Sequence, residues 1–324
     1  MVIRVGLIGT GYAAKARAKS LIGDGRAHLL SVSGEDSHRT EVFAQQYGLV
    51  PATSWQALVS DVQIDLVVVA TVSSLHGEIV AAALQAGKHV VVEYPLSLDV
   101  SQAEGLIKLA TQQKVLLHVE HIELLGGLHR AMRSHLSQIG AVQYVNYRTL
   151  NPQNPAPRKW TYRKALFGFV YCGALSRVQR MTNLFGVVQR VSCTTRYVGE
   201  SVDDDWFKGV LSSARLEFAS GVVAELTYGK GEGLWVRRRE VEVQGSDGAM
   251  AFQGNHGQLV TAEGERSIAV EPRKGLFLKD TDAVLSYLIH GAPLYVSASD
   301  SLYALKVADA LRSASERGET VTVD

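Results

Sequence analysis

Several residues that could do chemistry stand at the carboxyl ends of short apolar segments. One such segment, residues 90–92, runs directly into Glu93, Tyr94 and Pro95. Ligands of open α/β sheets bind beyond the carboxyl ends of the strands, so these side chains are candidates for a site. Tyr94 combines an apolar ring with a hydroxyl. A phenol with a pKa of about 10 is a reluctant acid, so we expect its surface to matter more than its proton. A purely space-filling role is the alternative.

A glycine motif follows the first apolar segment of the chain. After residues 3–8 the sequence reads Gly9-Thr10-Gly11-Tyr12-Ala13-Ala14, which has the pattern G-x-G-x-x-A. Between a strand and a helix, the first glycine permits the tight turn and the second lets the backbone approach a pyrophosphate. The phosphates then bind at the helix N-terminus. We therefore predict a dinucleotide site, with Gly9, Gly11, Tyr12 and Ala13 among its residues.

The end of the second apolar segment bears on which dinucleotide is bound. An acid about 20 residues beyond the glycine motif would hold the adenosine ribose of NAD. Here Gly34 occupies that position and Glu35 comes one residue later. Ser33 and Arg39 could instead receive a 2′-phosphate. The sequence favours NADPH, and NADH stays possible if Glu35 reaches the ribose.

Three further residues are expected near the cofactor. Thr71 ends the apolar segment 65–71, and His76 follows close to the start of a predicted helix. With Glu93, they would line the nicotinamide half of the dinucleotide at the carboxyl edge of the sheet. For His76, a place beside the helix start without any ligand contact is an equal alternative.

The segment 115–121 carries titratable residues at its end. His121 could change its charge near neutral pH. We favour a different interpretation, in which His121 is a buried, hydrogen-bonded histidine that fixes the strand end. Glu123, two residues further, is a candidate for the catalytic site.

A later segment places two arginines among apolar residues with helical spacing. On a predicted helix over 172–185, Ala174, Val178 and Met181 share one apolar face, and Arg177 falls at its edge. An unpaired buried guanidinium is costly, so Arg177 either pairs with a nearby acid or faces a ligand. Arg180, one turn further, is expected to face solvent.

The elements that must position these residues fall into two groups. Over residues 1–122, continuous apolar strands alternate with helices, which indicates a parallel sheet covered on both faces. Over residues 123–324, most strands alternate between apolar and polar residues, which is typical of an antiparallel sheet with one exposed face. We predict an α/β protein: an N-terminal Rossmann domain and a C-terminal α+β domain on a large, open, mainly antiparallel sheet. Its last helices could pack back on the first domain.

Composition argues against several classes of protein. The chain has 324 residues with a net charge of +1, which gives no general electrostatic reason to expect nucleic acid or an anionic membrane as partner. Cys172 and Cys193 are too few for a disulfide framework or a metal site. The apolar runs fall short of the ~18 residues of a membrane span, and the N-terminus shows no signal-peptide pattern. We expect a cytoplasmic enzyme without a metal.

These motifs resemble the Gfo/Idh/MocA-like family of sugar and inositol dehydrogenases, in which a Rossmann domain precedes an open antiparallel sheet. That family typically carries Glu-Lys-Pro where this chain has Glu93-Tyr94-Pro95, and an Asp-x-x-x-His pair on a later helix. Both the lysine and the pair are missing here. Over nearly the whole chain, the stretches VVEYPLSL, HVEHIELL, NPAPRKWTY and YGKGE, with Ser176-Arg177 before NLFG, resemble the biliverdin reductase branch, especially its bacterial members.

The resemblance implies an NAD(P)H-dependent reduction of the central methine bridge of biliverdin to give bilirubin. It implies that Arg177 assists protonation of the bilin, directly or through water, because arginine is normally too weak an acid to donate outright. Tyr94 would pack against the bilin or the nicotinamide. The basic residues that could hold its propionates are Arg158, Lys159, Arg180, Lys230 and Arg238.

Two other functions stay open at this point. One is a dehydrogenase of the same fold acting on a sugar-like substrate, and the other is a sensor that binds NAD(P) without catalysis. The resemblance favours a monomer, with a dimer possible, because the open sheet pairs subunits in parts of the wider family.

Overall fold

The computed structural model describes residues 2–200 and 205–323. The chain divides into two compact units: the first combines Met1–Ile122 with Gly275–Leu302, and the second combines Glu123–Lys274 with Tyr303–Asp324. The sequence placed residues 275–302 in the second domain, with the option of packing on the first. They belong to the first unit.

A parallel sheet forms the centre of the first unit. Within the described residues its six strands have the order β3-β2-β1-β4-β5-β6, and each pairs in parallel with its neighbours. The strands are β1 (Ile3–Ile8), β2 (Ala27–Ser33), β3 (Val50–Pro51), β4 (Leu66–Val69), β5 (His89–Val92) and β6 (Leu117–Val119). The order reverses between β1 and β4, which is where such sheets bind ligands.

Helices cover this sheet, which explains why its strands are apolar on both faces. They are α1 (Tyr12–Ile22), α2 (Ser37–Tyr47), α3 (Trp55–Ser60), α4 (Ser73–Gln85), α5 (Val100–Gln113) and α10 (Leu276–His290). Val284 and Leu285 of α10 belong to the same buried core as Leu7 of β1 and Val91 of β5. The sequence did not predict β3 and α3, which are too short to show a periodic pattern.

The second unit is built on a nine-stranded sheet of its described residues, in the order β14-β13-β12-β11-β7-β10-β9-β8-β15. Its neighbouring strands are antiparallel except β7 and β10, which are parallel. The strands are β7 (Val142–Pro152), β8 (Val188–Val198), β9 (Gly209–Phe218), β10 (Val223–Gly231), β11 (Arg238–Gly245), β12 (Gly248–Gln253), β13 (His256–Thr261), β14 (Gly264–Ala269) and β15 (Val321–Thr322). The predicted fold class is confirmed.

The burial of this sheet alternates along its strands. In β9, buried Val210, Ala214 and Leu216 alternate with exposed Leu211 and Arg215. One face is therefore covered and the other is open. The remaining helices are α6 (Gly127–His135), α7 (Lys164–Phe167), α8 (Val170–Gly173), α9 (Leu175–Phe185) and α11 (Ala298–Arg317), which begins in the first unit and continues in the second. The helix predicted over 172–185 is two helices, α8 and α9.

Candidate active site

The glycine motif forms the turn from β1 to α1. Gly9 has a φ of 124°, and a Cβ added there would collide with the carbonyl oxygen of Ala70. Its N–H donates to the carbonyl oxygen of Ser33 at 2.7 Å. A Cβ on Gly11 would meet no atom within 4 Å, so the space before the helix is open. The turn fits a pyrophosphate, because only glycine allows the first bend and the open second position lets a ligand approach the backbone.

The end of β2 fits the expected adenosine half of the site. Asp36 caps α2 by accepting a hydrogen bond from the backbone N–H of Arg39 at 2.8 Å, so this carboxylate is already used. Gly34 lies against Thr10 and Thr40, where an added Cβ would approach within 2.9 Å of Thr10 Cγ2. The Arg39 side chain is exposed. An exposed cation at a helix start suits a phosphate.

His76 ties two strand ends together. It is buried inside α4, with its Nδ1 2.7 Å from the carbonyl oxygen of Pro95 and its Nε2 3.3 Å from that of Thr71. Burial lowers the pKa of His76, so the ring is neutral. Because both ring nitrogens face backbone carbonyls, His76 fixes the carboxyl ends of β4 and β5. A direct contact between His76 and a cofactor stays a prediction.

Glu93 belongs to a buried network that the sequence analysis missed. Arg17 on α1 donates to Glu93 Oε1 at 2.9 Å and also pairs with Asp280 of α10. The other oxygen of Asp280 lies 2.8 Å from His118 Nε2 and accepts a hydrogen bond from Tyr295 at 2.6 Å. The sequence contained a signal for this network, because Arg17 and Asp280 lie on the apolar faces of their helices. Their pairing across 263 residues was not visible.

The ionisable groups of this network have pKa values that are shifted in different directions. Burial favours a neutral Arg17, but Asp280 and Glu93 outweigh it and raise the pKa of Arg17. Burial raises the pKa of Asp280, but Arg17 and His118 more than offset this, so its net pKa is lowered. Burial and the neighbouring Glu93 raise the pKa of Glu120 well above its usual value. Glu120, which directly follows β6, is therefore protonated more readily than an ordinary carboxyl group.

The ring of Tyr94 packs against the imidazole ring of His121. The two rings are stacked, with centroids 5.5 Å apart and planes inclined by 4°. His121 Nε2 lies 2.8 Å from Ser301 Oγ, and the His121 backbone N–H donates to the Tyr295 hydroxyl at 3.1 Å. Burial, then the nearby His118, lower the pKa of His121 to about 3. The interpretation of His121 as a buried, hydrogen-bonded histidine is confirmed.

Within the second unit, α9 sets Arg177 over the covered face of the sheet. Its guanidinium carbon lies 5.2 Å from the ring centroid of Tyr228 on β10, and Nη1 donates to Ser176 Oγ at 3.1 Å. The side chain is partly buried. A guanidinium held over a ring in this way keeps its charge, and its N–H donors lie in one plane.

Arg180 differs from its predicted position. It is buried, with 1% of its surface exposed, and pairs with Glu123 at 3.1 Å while also donating to the Tyr147 hydroxyl. Burial raises the pKa of Glu123, but Arg180, Arg273 and Arg239 more than offset this, so the net pKa is lowered. Glu123 is thus ionised and has no proton to donate. The prediction that Arg180 faces solvent is wrong, because its guanidinium is buried against Glu123 and Tyr147.

Lys230 is also buried. Its ammonium donates to the carbonyl oxygen of Thr161 and lies 3.6 Å from the ring centroid of Phe167 and 4.7 Å from that of Tyr162. Burial lowers the pKa of Lys230 to about 7. Arg238, another candidate, lies on the open face of the sheet beside Glu240, at 3.4 Å.

No group of three or more His, Cys, Asp or Glu side chains in the described part of the chain could hold a metal ion. None of the helices over 2–200 and 205–323 has the length and apolar character to cross a membrane.

Two models of one oxidoreductase family match successive parts of the chain. The oxidoreductase family model for the NAD-binding Rossmann fold matches residues 3–121, and the model for that family's C-terminal alpha/beta domain matches residues 135–323.

Individual relatives differ in their reactions. A solved structure of biliverdin reductase from Synechocystis sp. PCC 6803, in complex with biliverdin and NADP+, is 48% identical, with a TM-score of 0.94 over 96% of this chain and 98% of that one. Mouse biliverdin reductase A is 26% identical over 87% of this chain and 85% of its own. Inositol 2-dehydrogenase of Rhizobium meliloti is 25% identical over 98% of both chains.

Proposed function

Since the chain belongs to the Gfo/Idh/MocA oxidoreductase family, we propose that it reduces the central methine bridge of biliverdin to give bilirubin, with NADPH as the reductant. One observation carries the choice of reaction. The strand end that bears a lysine base in alcohol dehydrogenases of this family bears Tyr94, whose ring is stacked on the neutral imidazole of His121. The 48% identity to a biliverdin reductase supports the proposal.

The residues suit the chemical needs of this reaction. Reduction adds a hydride to the methine carbon and a proton to a neighbouring pyrrole nitrogen, so no alcohol is deprotonated and no lysine base is required. When bound, NADPH supplies the hydride. Gly9 and Gly11 would hold its pyrophosphate, and Ser33 and Arg39 its 2′-phosphate. Tyr94 offers a flat apolar surface to a conjugated substrate.

Arg177 is the residue we assign to charge and proton handling. A guanidinium is always protonated and is a poor proton donor. Held over the Tyr228 ring, it can orient a water toward the pyrrole nitrogen or stabilise charge that develops on the bilin. Neither Glu123, which is ionised, nor His121, which is neutral, can supply that proton at neutral pH.

A sugar or inositol dehydrogenase is the alternative within this fold. Such an enzyme removes a proton from an alcohol and requires a base with a suitable pKa. The helix α9 has arginines and no acid or histidine, and His76 and His121 are buried with lowered pKa values. The residues therefore favour reduction of a conjugated ring system.

Spectroscopy of a simple mixture tests the proposed function. Biliverdin and NADPH should give the absorption spectrum of bilirubin when the protein is added, and not without it. Absence of bilirubin near neutral pH, in protein that binds NADPH, would overturn the proposal. Oxidation of inositol or a sugar with NAD would establish the alternative.

A further inference from the structure

The hydroxyl of Tyr295 joins two groups that come from distant segments of the first unit. It donates to Asp280 Oδ1 at 2.6 Å and accepts a hydrogen bond from the backbone N–H of His121 at 3.1 Å. A phenol has a single O–H donor, which Asp280 uses here, and its lone pairs are left to accept. Burial and the charge of Asp280 raise the pKa of Tyr295 well above its usual value, so the hydroxyl keeps its proton. Both bonds are therefore made at neutral pH.

The carboxylate that accepts from Tyr295 is itself held in place. Asp280 is completely buried, and its two oxygens also contact His118 and Arg17. Arg17 donates in turn to Glu93 at 2.9 Å. Displacement of this carboxylate would break buried charged pairs, which is strongly unfavourable. The Tyr295 hydroxyl is thus attached to a fixed point of the first unit.

The position of the His121 imidazole depends on this attachment. The ring is buried, with its Nε2 2.8 Å from Ser301 Oγ, and its Nδ1 has no hydrogen-bond partner among the described residues. The bond from its backbone N–H to Tyr295 supplies a second point of support. Tyr94 stacks on this ring, with the two planes inclined by 4°. Because aromatic contacts depend on the relative orientation of the rings, a shift of His121 changes the surface against which Tyr94 packs.

We propose that Tyr295 is a positioning residue for the proposed reaction: its hydroxyl ties the backbone of His121 to Asp280 and so sets the plane of the ring on which Tyr94 stacks. The assignment rests on the proposed function, in which Tyr94 offers a flat surface to a conjugated substrate. A misplacement of about 1 Å in a reacting complex can lower a rate by up to about 10²-fold. Tyr295 therefore acts on the rate through Tyr94 and transfers no proton itself.

Tyr295→Phe tests this role because it removes only the hydroxyl. The ring keeps its edge-to-face contact with His118, with centroids 5.5 Å apart, and Asp280 keeps its pairs with Arg17 and His118. We expect kcat with biliverdin to fall by about fivefold, within the range of an aromatic contact. KM for biliverdin and for NADPH should stay within about twofold, because the substrates still meet the same groups in less favourable alignment.

Tyr303→Phe is the matched control for loss of a tyrosine hydroxyl. The Tyr303 hydroxyl accepts a hydrogen bond from the backbone N–H of Val188 at 2.7 Å, and both residues belong to the second unit. Both phenylalanine variants should lower the urea midpoint of unfolding slightly, but only Tyr295→Phe should lower kcat. An equal fall of kcat in the two variants would assign the effect to a general loss of stability and overturn the proposal.

A double-mutant cycle with Tyr94 tests whether the effect passes through that ring. In the Tyr94→Ala background, the further change Tyr295→Phe should lower kcat/KM by less than about twofold, because the ring that Tyr295 helps to place is gone. A loss of about fivefold in both backgrounds would mean that the two residues act independently, and would overturn the proposal.

Crystal structures of the wild type and of Tyr295→Phe provide a measurement that does not depend on turnover. The angle between the ring planes of Tyr94 and His121 should open beyond 4° in the variant. An unchanged angle would overturn the positioning role, whether or not the protein reduces biliverdin. An opened angle in a protein that binds NADPH but forms no bilirubin would overturn the proposed function and support the link from Tyr295 to Tyr94.

Discussion

The ring of Tyr94 lies parallel to the imidazole of His121, with the centroids 5.5 Å apart. His121 is itself fixed by Ser301 and by the hydroxyl of Tyr295, which also donates to the buried Asp280. The ring that stacks on Tyr94 is therefore itself held in place by hydrogen bonds. The contribution of the Tyr94 ring can be tested separately from that of the Tyr94 hydroxyl.

Substitution of Tyr94 distinguishes those roles. We expect Tyr94→Phe to keep kcat/KM within about threefold, and Tyr94→Ala to lose about tenfold, because an aromatic contact is worth roughly 0.5–1.5 kcal/mol. Steady-state kinetics with biliverdin and NADPH measure both. Tyr287→Ala, at an exposed tyrosine of α10, is the control. An equal loss in Tyr94→Phe and Tyr94→Ala would assign the main role to the hydroxyl.

Arg177→Ala should lower kcat by about 10²–10³-fold, the scale seen when a donor that stabilises developing charge is removed. Binding of NADPH, measured by the fluorescence of the cofactor, should persist, because Arg177 lies in the second unit and the glycine turn in the first. Arg215→Ala, at an exposed arginine on the open face of the sheet, should leave kcat unchanged. Undiminished turnover in Arg177→Ala would remove it from the mechanism.

The pair of Arg17 and Asp280 is expected to stabilise the first unit. Asp280→Asn leaves Arg17 buried without its main partner and should lower the free energy of unfolding by about 3–5 kcal/mol. Asp282→Asn, two residues away on the same helix, breaks an exposed pair with Arg26 and should cost at most about 1 kcal/mol. Urea unfolding measures both. Equal effects of the two substitutions would show that burial of the network contributes little.

Arg39 is expected to set the preference for NADPH. Arg39→Ala should raise KM for NADPH by about tenfold, the scale of one charge-assisted hydrogen bond, and leave KM for NADH unchanged. The Lys19→Ala variant, at an exposed residue of α1, controls for a general loss of positive charge. A wild-type protein that prefers NADH would contradict the interpretation of Gly34.

The stability of the protein should depend on pH through Lys230. Its pKa falls from 10.5 to about 7 on folding, because burial disfavours the charged amine. Between these values the unfolded chain binds the proton and the folded chain does not, so stability rises with pH in that window. Relative to Lys230→Met, the unfolding free energy of the wild type should therefore increase from pH 7 toward pH 10. A flat difference would show that the surrounding rings keep Lys230 charged.

The sequence by itself determined the features that depend on neighbouring residues. The turn at Gly9 and Gly11, the alternation of strand and helix, and the position of Tyr94 at a strand end all follow from local pattern. Position 9 needs glycine because its φ of 124° excludes a side chain, whatever surrounds it. The absence of the family's usual lysine, at the position of Tyr94, was likewise evident from the sequence of one strand end.

Only the tertiary structure decided which charges meet. Arg177 and Arg180 are three residues apart on one helix, yet one lies over Tyr228 while the other is buried against Glu123, 57 residues away. The helical pattern placed Arg177 at the edge of the apolar face and Arg180 toward solvent, and it could not identify the partner of either side chain. A buried charge is tolerated only where an opposite charge from another element reaches it, and that depends on how distant segments pack.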